Sequence, residues 1–173
     1  MTLKGFDIAL RPLVRDDIEM VRMWRNSDVV RPYALHQETI SQEQQNVWFE
    51  ALQHKRDEYF VILVLDVPIG LIWFNDKESV IETGFYLYET LYQNSLTPYK
   101  IVSLFHDYLF HQKQFSTITC KIMPNNKRAI RFNLSLGYQK IQTCEHYAVY
   151  ELSSAQYEKY NTKIMALLSM VHS

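Results

Sequence analysis

The feature that most constrains this chain is the stretch from Tyr59 to Tyr88, where three apolar, β-rich runs are separated by turns of a few residues. Tyr59–Leu65 is an uninterrupted apolar run, the pattern of a strand covered on both faces. Val67-Pro68 turns the chain back, Ile69–Phe74 is the next strand, Asn75-Asp76-Lys77-Glu78 its loop, and Val80–Tyr88 the third. Turns this short permit antiparallel pairing, so the spacing predicts a three-strand meander. The next strand, Phe115–Met123, lies beyond a helix opened by Thr97-Pro98 and must cross over, which predicts parallel pairing with the strand before that helix. Together these predict an α/β fold of the α+β kind: a single domain with one mixed, twisted sheet flanked by helices.

The remaining elements follow from periodicity and caps. Phe6, Ile8 and Leu10 alternate as a strand that Pro12 stops. Asp16-Asp17 opens a helix with Ile18, Val21 and Trp24 on one face, broken at Asn26-Ser27-Asp28. Ser41-x-x-Gln44 is a capping box for a helix carrying Trp48, Phe49 and Leu52. Thr97 is expected to cap the third helix, with Pro98 in its first turn and Ile101, Leu104, Phe105 and Tyr108 on its buried face. Asn126 caps a short helix that closes at Gly137, a left-handed position, and Tyr138–Thr143 and His146–Leu152 form a closing pair of strands. A last capping box, Ser153-x-x-Gln156, opens an amphipathic helix with Tyr157, Tyr160, Ile164, Leu167 and Val171 in register. Such a stripe needs a surface, either its own domain or a second copy. Residues 1–152 thus read as the domain and 153–173 as a C-terminal helical extension, with a homodimer through that helix as one use of it.

Composition narrows the function classes. The 173 residues carry a net charge of −1 and no Lys/Arg stripe, which gives no nucleic-acid footprint. The longest apolar runs fall far short of the roughly 20 residues that span a bilayer, and the N-terminus has no signal-peptide core. A cytoplasmic protein with no membrane association is expected. Cys120 and Cys144 have neither metal nor redox spacing, and the six histidines are scattered, so no metal is expected.

The order of elements over residues 82–138 is strand, helix N-terminus, strand, capped helix, strand. It can hold a phosphorylated cofactor at a helix start and carry its reactive end along a strand edge. The residues in it include Glu82-x-Gly84, Asn126-x-x-Ala129-Ile130 and Leu136-Gly137-Tyr138. Upstream stand Arg11-Pro12-Leu13 with Asp16-Asp17, and Ile69-Gly70. Over residues 6–152 this pattern resembles the GNAT superfamily of acetyl-CoA-dependent N-acetyltransferases. Trp24-Arg25-Asn26 with Val30-Arg31, then Thr39-Ile40-Ser41, Trp48-Phe49 and Tyr59-Phe60-x-Ile62, is similar in order to the amino-sugar acetyltransferases of the pseudaminic acid pathway.

The resemblance implies transfer of acetyl from acetyl-CoA to a primary amine by direct attack in a ternary complex. The acceptor would be a small-molecule amine, an amino sugar on a nucleotide; a protein N-terminus and a polyamine are the alternatives within the class. It implies cofactor contacts from the strand at Phe85, Tyr86 and Leu87, from the loop Gln93, Asn94, Ser95, Leu96 and Thr97, and from Asn126 and Asn133. In that loop Gln93 fits the family, but Leu96 and Pro98 replace its small residues, and Pro98 donates no hydrogen bond. Glu82 is the candidate general base, with a pKa expected to be raised by apolar neighbours; a salt-bridged Glu82 is the plainer alternative. The Tyr that the family often has in the late helix is absent from Ala129-Ile130-Arg131-Phe132-Asn133, so Tyr138 is the candidate acid, with Tyr86 as the other substitute, unless each serves only in packing. Trp24, Arg25, Asn26 and Arg31 would face the acceptor, the arginines pairing with a diphosphate, unless Trp24 belongs to the core and the arginines to solvent. A rival of another class is a non-catalytic GNAT-like binding module with a degenerate cofactor loop.

Overall fold

A computed structural model describes residues 1–78 and 80–170. Its sheet begins with a hairpin rather than one strand: Phe6 turns the chain at φ 59°, between β1 (Leu3–Gly5) and β2 (Ile8–Pro12). Phe6 is 46% exposed, so its alternation with Ile8 and Leu10 is coincidental. A 3₁₀ turn at Arg15–Asp17 leads into α1 (Ile18–Asn26), where the Asp17 carboxylate takes two bonds from Arg11 and one from the Val14 N–H. In α2 (Gln42–Leu52) the Ser41–Gln44 capping box forms as expected, yet Gln45 is the helix's one buried residue.

The meander consists of β3 (Glu58–Val64), β4 (Val67–Lys77) and β5 (Val80–Leu87), paired antiparallel. Leu65 and Asp66, both at positive φ, make the first turn, so Val67-Pro68 starts β4. Asn75 to Lys77 also belong to β4, because they pair with Glu82 to Val80. Next comes α3 (Thr97–Asp107), which runs into a π-helical turn at Tyr108–Gln112. β6 (Thr117–Ile122), α4 (Lys127–Ser135), β7 (Gln139–Thr143), β8 (Ala148–Ser153) and α5 (Ser154–Ser169) complete the chain. The eight strands lie in the order β1-β2-β3-β4-β5-β6-β8-β7, with β5–β6 the parallel pair, giving the mixed sheet the sequence predicts.

Each face of the sheet has its own core. On one, Ile62, Ile69, Ile72 and Phe74 pack against Ile101, Phe105 and Leu109. Tyr157, Ile164 and Leu168 bring α5 onto that core, while Leu167, expected in the stripe, is 42% exposed and Val171 lies outside the described residues. The other face is smaller: Val21 and Trp24 meet Val61 and Leu71 under α1, with Trp73, Tyr86 and Tyr88 against them. No helix among the described residues is long and apolar enough to cross a membrane.

Gly84 lets this second face close. A Cβ there would sit 2.4 Å from the Trp73 ring. Gly84→Ala is expected to cost about 1–3 kcal/mol through overpacking. Urea unfolding with tryptophan fluorescence checks this; an unchanged midpoint would mean that Trp73 moves aside freely.

Candidate functional site

The parallel pair supplies the site. β5 and β6 pair only at Glu82 and Thr119, reinforced by Thr83 Oγ1 donating to the Thr119 carbonyl (3.0 Å) and Thr119 Oγ1 to the Ile81 carbonyl (3.2 Å). Beyond that bridge they part. The Tyr88 N–H donates to the Ile69 carbonyl of β4. By ladder alternation the backbone of Gly84 and Tyr86 also faces β4, whereas that of Phe85 and Leu87 faces the gap. Gln93 Nε2 donates to the Leu87 carbonyl (2.8 Å). What remains is an extended edge inside the sheet, lining a cavity of about 370 Å³. Phe85, Tyr86, Leu87, Gln93, Asn126 and Asn133 all line it, as do Glu82 and Tyr138.

Glu82 does not stand among apolar neighbours. Lys121 Nζ and Lys77 Nζ reach its Oε2 at 2.7 and 2.8 Å. Burial pushes the carboxyl up, but the hydrogen bonds and charges of the two lysines outweigh it and the pKa is lowered. The expected direction is therefore corrected: Glu82 is ionised and ion-paired. Lys121 is the one charged residue in the strand Thr117–Ile122, a signal the sequence carried.

Tyr138 is buried at the cavity floor, its hydroxyl 3.1 Å from His106 Nε2. Burial raises the phenol well above its usual range and pushes His106 down to about 3, so this is a neutral pair. Cys120 lies beside it, its thiol raised by burial and directed at Asn133 Oδ1 (3.6 Å). Asn133 Nδ2 is also engaged, donating to the Ala129 carbonyl within α4 (2.8 Å).

At the start of α3 the cap residue is Leu96, not Thr97, and Thr97 and Pro98 fill the first turn. The Thr97 N–H goes to Ser95 Oγ (3.1 Å), Pro98 has none, and the first intrahelical donor is Lys100. That leaves fewer N–H groups for an anion than a glycine loop would offer. Of the expected loop contacts, Gln93 faces the cavity; Asn94, Ser95, Leu96 and Thr97 do not line it, and Pro98 does. A cation stands nearby instead: Arg128, in the first turn of α4, reaches across to Gln93 Oε1 and lines the cavity. Sequence spacing could not show that Arg128 and Gln93 meet.

A second cavity of about 380 Å³ lies between α2 and the sheet, walled by Trp48, Tyr59 and Trp73, and shares Arg25, His36, Trp73 and Tyr86 with the first. Among the described residues, Arg25 Nε and the Tyr86 hydroxyl are buried without a hydrogen-bond partner, which for such groups costs about 1–3 kcal/mol each. The four expected acceptor residues thus separate. Arg25 lines both cavities. Trp24 is core, stacked on Tyr88 at 5.6 Å. Asn26 clamps the Ile40 backbone with bonds of 2.8 and 2.9 Å, and Arg31 bonds Asp28 and Thr39 at the exposed surface. Among the described residues no group of three metal-ligating side chains converges.

A family model described as an acetyltransferase (GNAT) domain matches residues 7–139. The chain belongs to the GNAT acetyltransferases. Solved structures share the GNAT fold at low identity. A protein described as apo FdhC, a nucleotide-linked sugar GNAT, is 20% identical with TM-score 0.79, covering 94% of this chain and 96% of its own. The N-acetyltransferase PseH of Campylobacter jejuni is 16% identical with TM-score 0.68, covering 86% and 99%. AAC(6′)-Ib in complex with ribostamycin and coenzyme A is 16% identical with TM-score 0.78, covering 89% and 97%. No curated protein matches the chain.

Two titrations follow for this GNAT domain. Glu82 has its folded pKa lowered, so its contribution is present above the ordinary value of 4.5 and is lost as pH falls through the lower folded one. Carboxyl NMR should place its midpoint below 4.5; a higher midpoint would break the lysine account. His106 runs in the same direction. The unfolded chain takes up a proton below about 6.5 that the folded chain refuses until about 3. Stability should therefore fall as the pH is lowered through that window, by at most about 1.4 kcal/mol per pH unit. Urea unfolding at several pH values should show a flatter profile for His106→Leu; identical slopes would contradict it.

Proposed function

We propose that this GNAT domain is an acetyl-CoA-dependent N-acetyltransferase acting on a primary amine, and that the acceptor is an amino sugar carried on a nucleotide. The observation that carries the first part is the strand edge left open between β5 and β6. The Phe85 backbone and the Leu87 N–H face that gap, and an extended amide chain such as pantetheine can add to it as a strand adds to an edge. The cavity suits such a guest, with the apolar side chains Val102, Phe105 and Phe132 in its lining and Arg128 at its Gln93 end for phosphates. The acceptor part rests on the order of Trp24-Arg25-Asn26 and the motifs after it, and on two structural relatives, one described as a nucleotide-linked sugar GNAT and the other PseH.

Acetyl-CoA supplies the thioester from which the amine receives its acetyl group. Phe85, Leu87 and Asn126 would hold the arm, and Gln93 with Arg128 the phosphate end. An N–H of the Phe85–Leu87 edge would polarise the thioester carbonyl. Glu82 would take the amine's proton through water; its lysine partners keep it ionised and so able to accept. Tyr138, held protonated by burial, would face the departing sulfur. The sparse N–H groups at the start of α3 favour the other reading, a binding module without catalysis.

Calorimetry with acetyl-CoA separates the two: micromolar binding, weakened about tenfold in Arg128→Ala, is expected. No binding at millimolar cofactor would remove the enzyme reading. With binding in place, Glu82→Gln should lower kcat by about 100-fold or more while the cofactor Kd holds. Full activity of that variant would take Glu82 out of the mechanism.

A further inference from the structure

The chamber beneath α2 is more than a packing defect, because its polar groups are mismatched in one direction. Arg25 projects from α1 into both cavities and makes no ion pair among the described residues. The second chamber has no Asp or Glu in its lining, and the one carboxylate of the first, Glu82, is already held by two lysines. Tyr86 adds a buried hydroxyl without a partner, its ring fixed between Trp24 (6.5 Å) and Trp73 (6.0 Å). Two of the neighbouring polar groups are engaged elsewhere: Gln45 Nε2 donates to the Ile18 carbonyl, and the Tyr59 hydroxyl to Asn75 Oδ1, while His36 lies 3.9 Å from Glu38. A half-buried guanidinium and a hydroxyl, both without acceptors, call for an anion and a hydrogen-bond acceptor.

We infer that the chamber beneath α2 receives an anionic oxygen group, carboxylate or phosphate, on the non-reacting part of the acceptor, held by Arg25 Nε and the Tyr86 hydroxyl. The flat walls of Trp48, Tyr59 and Trp73 take the body that bears it. The junction of the two cavities then leaves the acceptor's amine in the first, beside Phe85 and Glu82. A polycationic amine is a poor guest here, since Arg25 repels it and no acid offsets the repulsion. This rests on the acetyltransferase reading for the word acceptor, but its test needs no turnover.

Trp24, Trp48 and Trp73 are the chain's three tryptophans, and all lie in or beside the chamber, so their fluorescence reports on it. Full-length protein, free of coenzyme, is titrated with inorganic phosphate, UDP, benzoate and, as neutral control, benzamide. Saturable quenching by benzoate but not benzamide identifies a carboxylate; quenching by phosphate or UDP identifies a phosphate. In either case Arg25→Gln and Tyr86→Phe should each raise the anion's Kd about tenfold. A urea midpoint for each variant shows that it is folded, and Arg25→Lys, which keeps charge without the Nε donor, should fall between. The inference is overturned if benzamide binds as well as benzoate and phosphate and UDP do not bind, if folded Arg25→Gln binds anions unchanged, or if no anion binds at millimolar concentration. Anion binding without acetyl-CoA binding would sink the acetyltransferase reading and leave the anion site standing.

Discussion

Strands β5 and β6 share one backbone bridge, Glu82 with Thr119, and then part. Everything that makes the domain more than a scaffold follows from that separation. A sheet that stayed closed would use the Phe85 and Leu87 backbone for its own ladder. An opened one must either fill the gap with side chains or offer it to a guest. Here the gap is floored by Phe105, Phe132 and Tyr138 but not filled, and β8 pairs with the far side of β6, so the sheet survives its interruption.

Charge around the gap is arranged in the same economical way. Lys77 and Lys121 converge on one oxygen of Glu82, and that cluster keeps a net positive charge at the Glu82 end of the gap. Arg128 brings a further cation to the Gln93 loop, where the helix start has lost part of its N–H supply to Ser95 and Pro98. A point charge from a neighbouring helix can replace a loop's dipoles because both act on an anion at short range. Arg25 differs, being half-buried and unpaired among the described residues, and it lines the chamber under α2.

Some of this was legible in the residues and some was not. The capping boxes at Ser41 and Ser153, the Asn126 cap and the left-handed Gly137 depend on groups within four residues of one another, and each forms as read. The parallel pairing of β5 with β6 follows from the length of the crossover. Local reading failed where a turn copied a strand's alternation, at Phe6, and where β4 ran on through the polar residues Asn75 to Lys77, held by pairing to β5. It failed at Thr97 because the helix starts one residue earlier, the Leu96 carbonyl accepting from the Lys100 N–H. In the site, Glu82 and Gln93 were found from their motif, but the pKa of Glu82 was misjudged, since its two lysines come from other parts of the sheet.

The sequence by itself determined the fold, the order of strands around the crossover, and the candidate residues Glu82, Phe85, Gln93, Asn126 and Tyr138. The fold and the strand order follow from periodicity, chain length between elements and short-range caps, which are properties of neighbouring residues, whereas the candidate residues follow from the resemblance of their motifs to the GNAT family. Only the tertiary structure decided how far β5 and β6 separate, that Trp24 is core while Arg25 is not, that Asn26 clamps a loop, and that Arg31 lies at the surface away from both cavities. It also decided that Lys121, Arg128 and His106 join the site. Each of these depends on which side chains meet across long sequence separations, and on what burial and charge do to them once they meet.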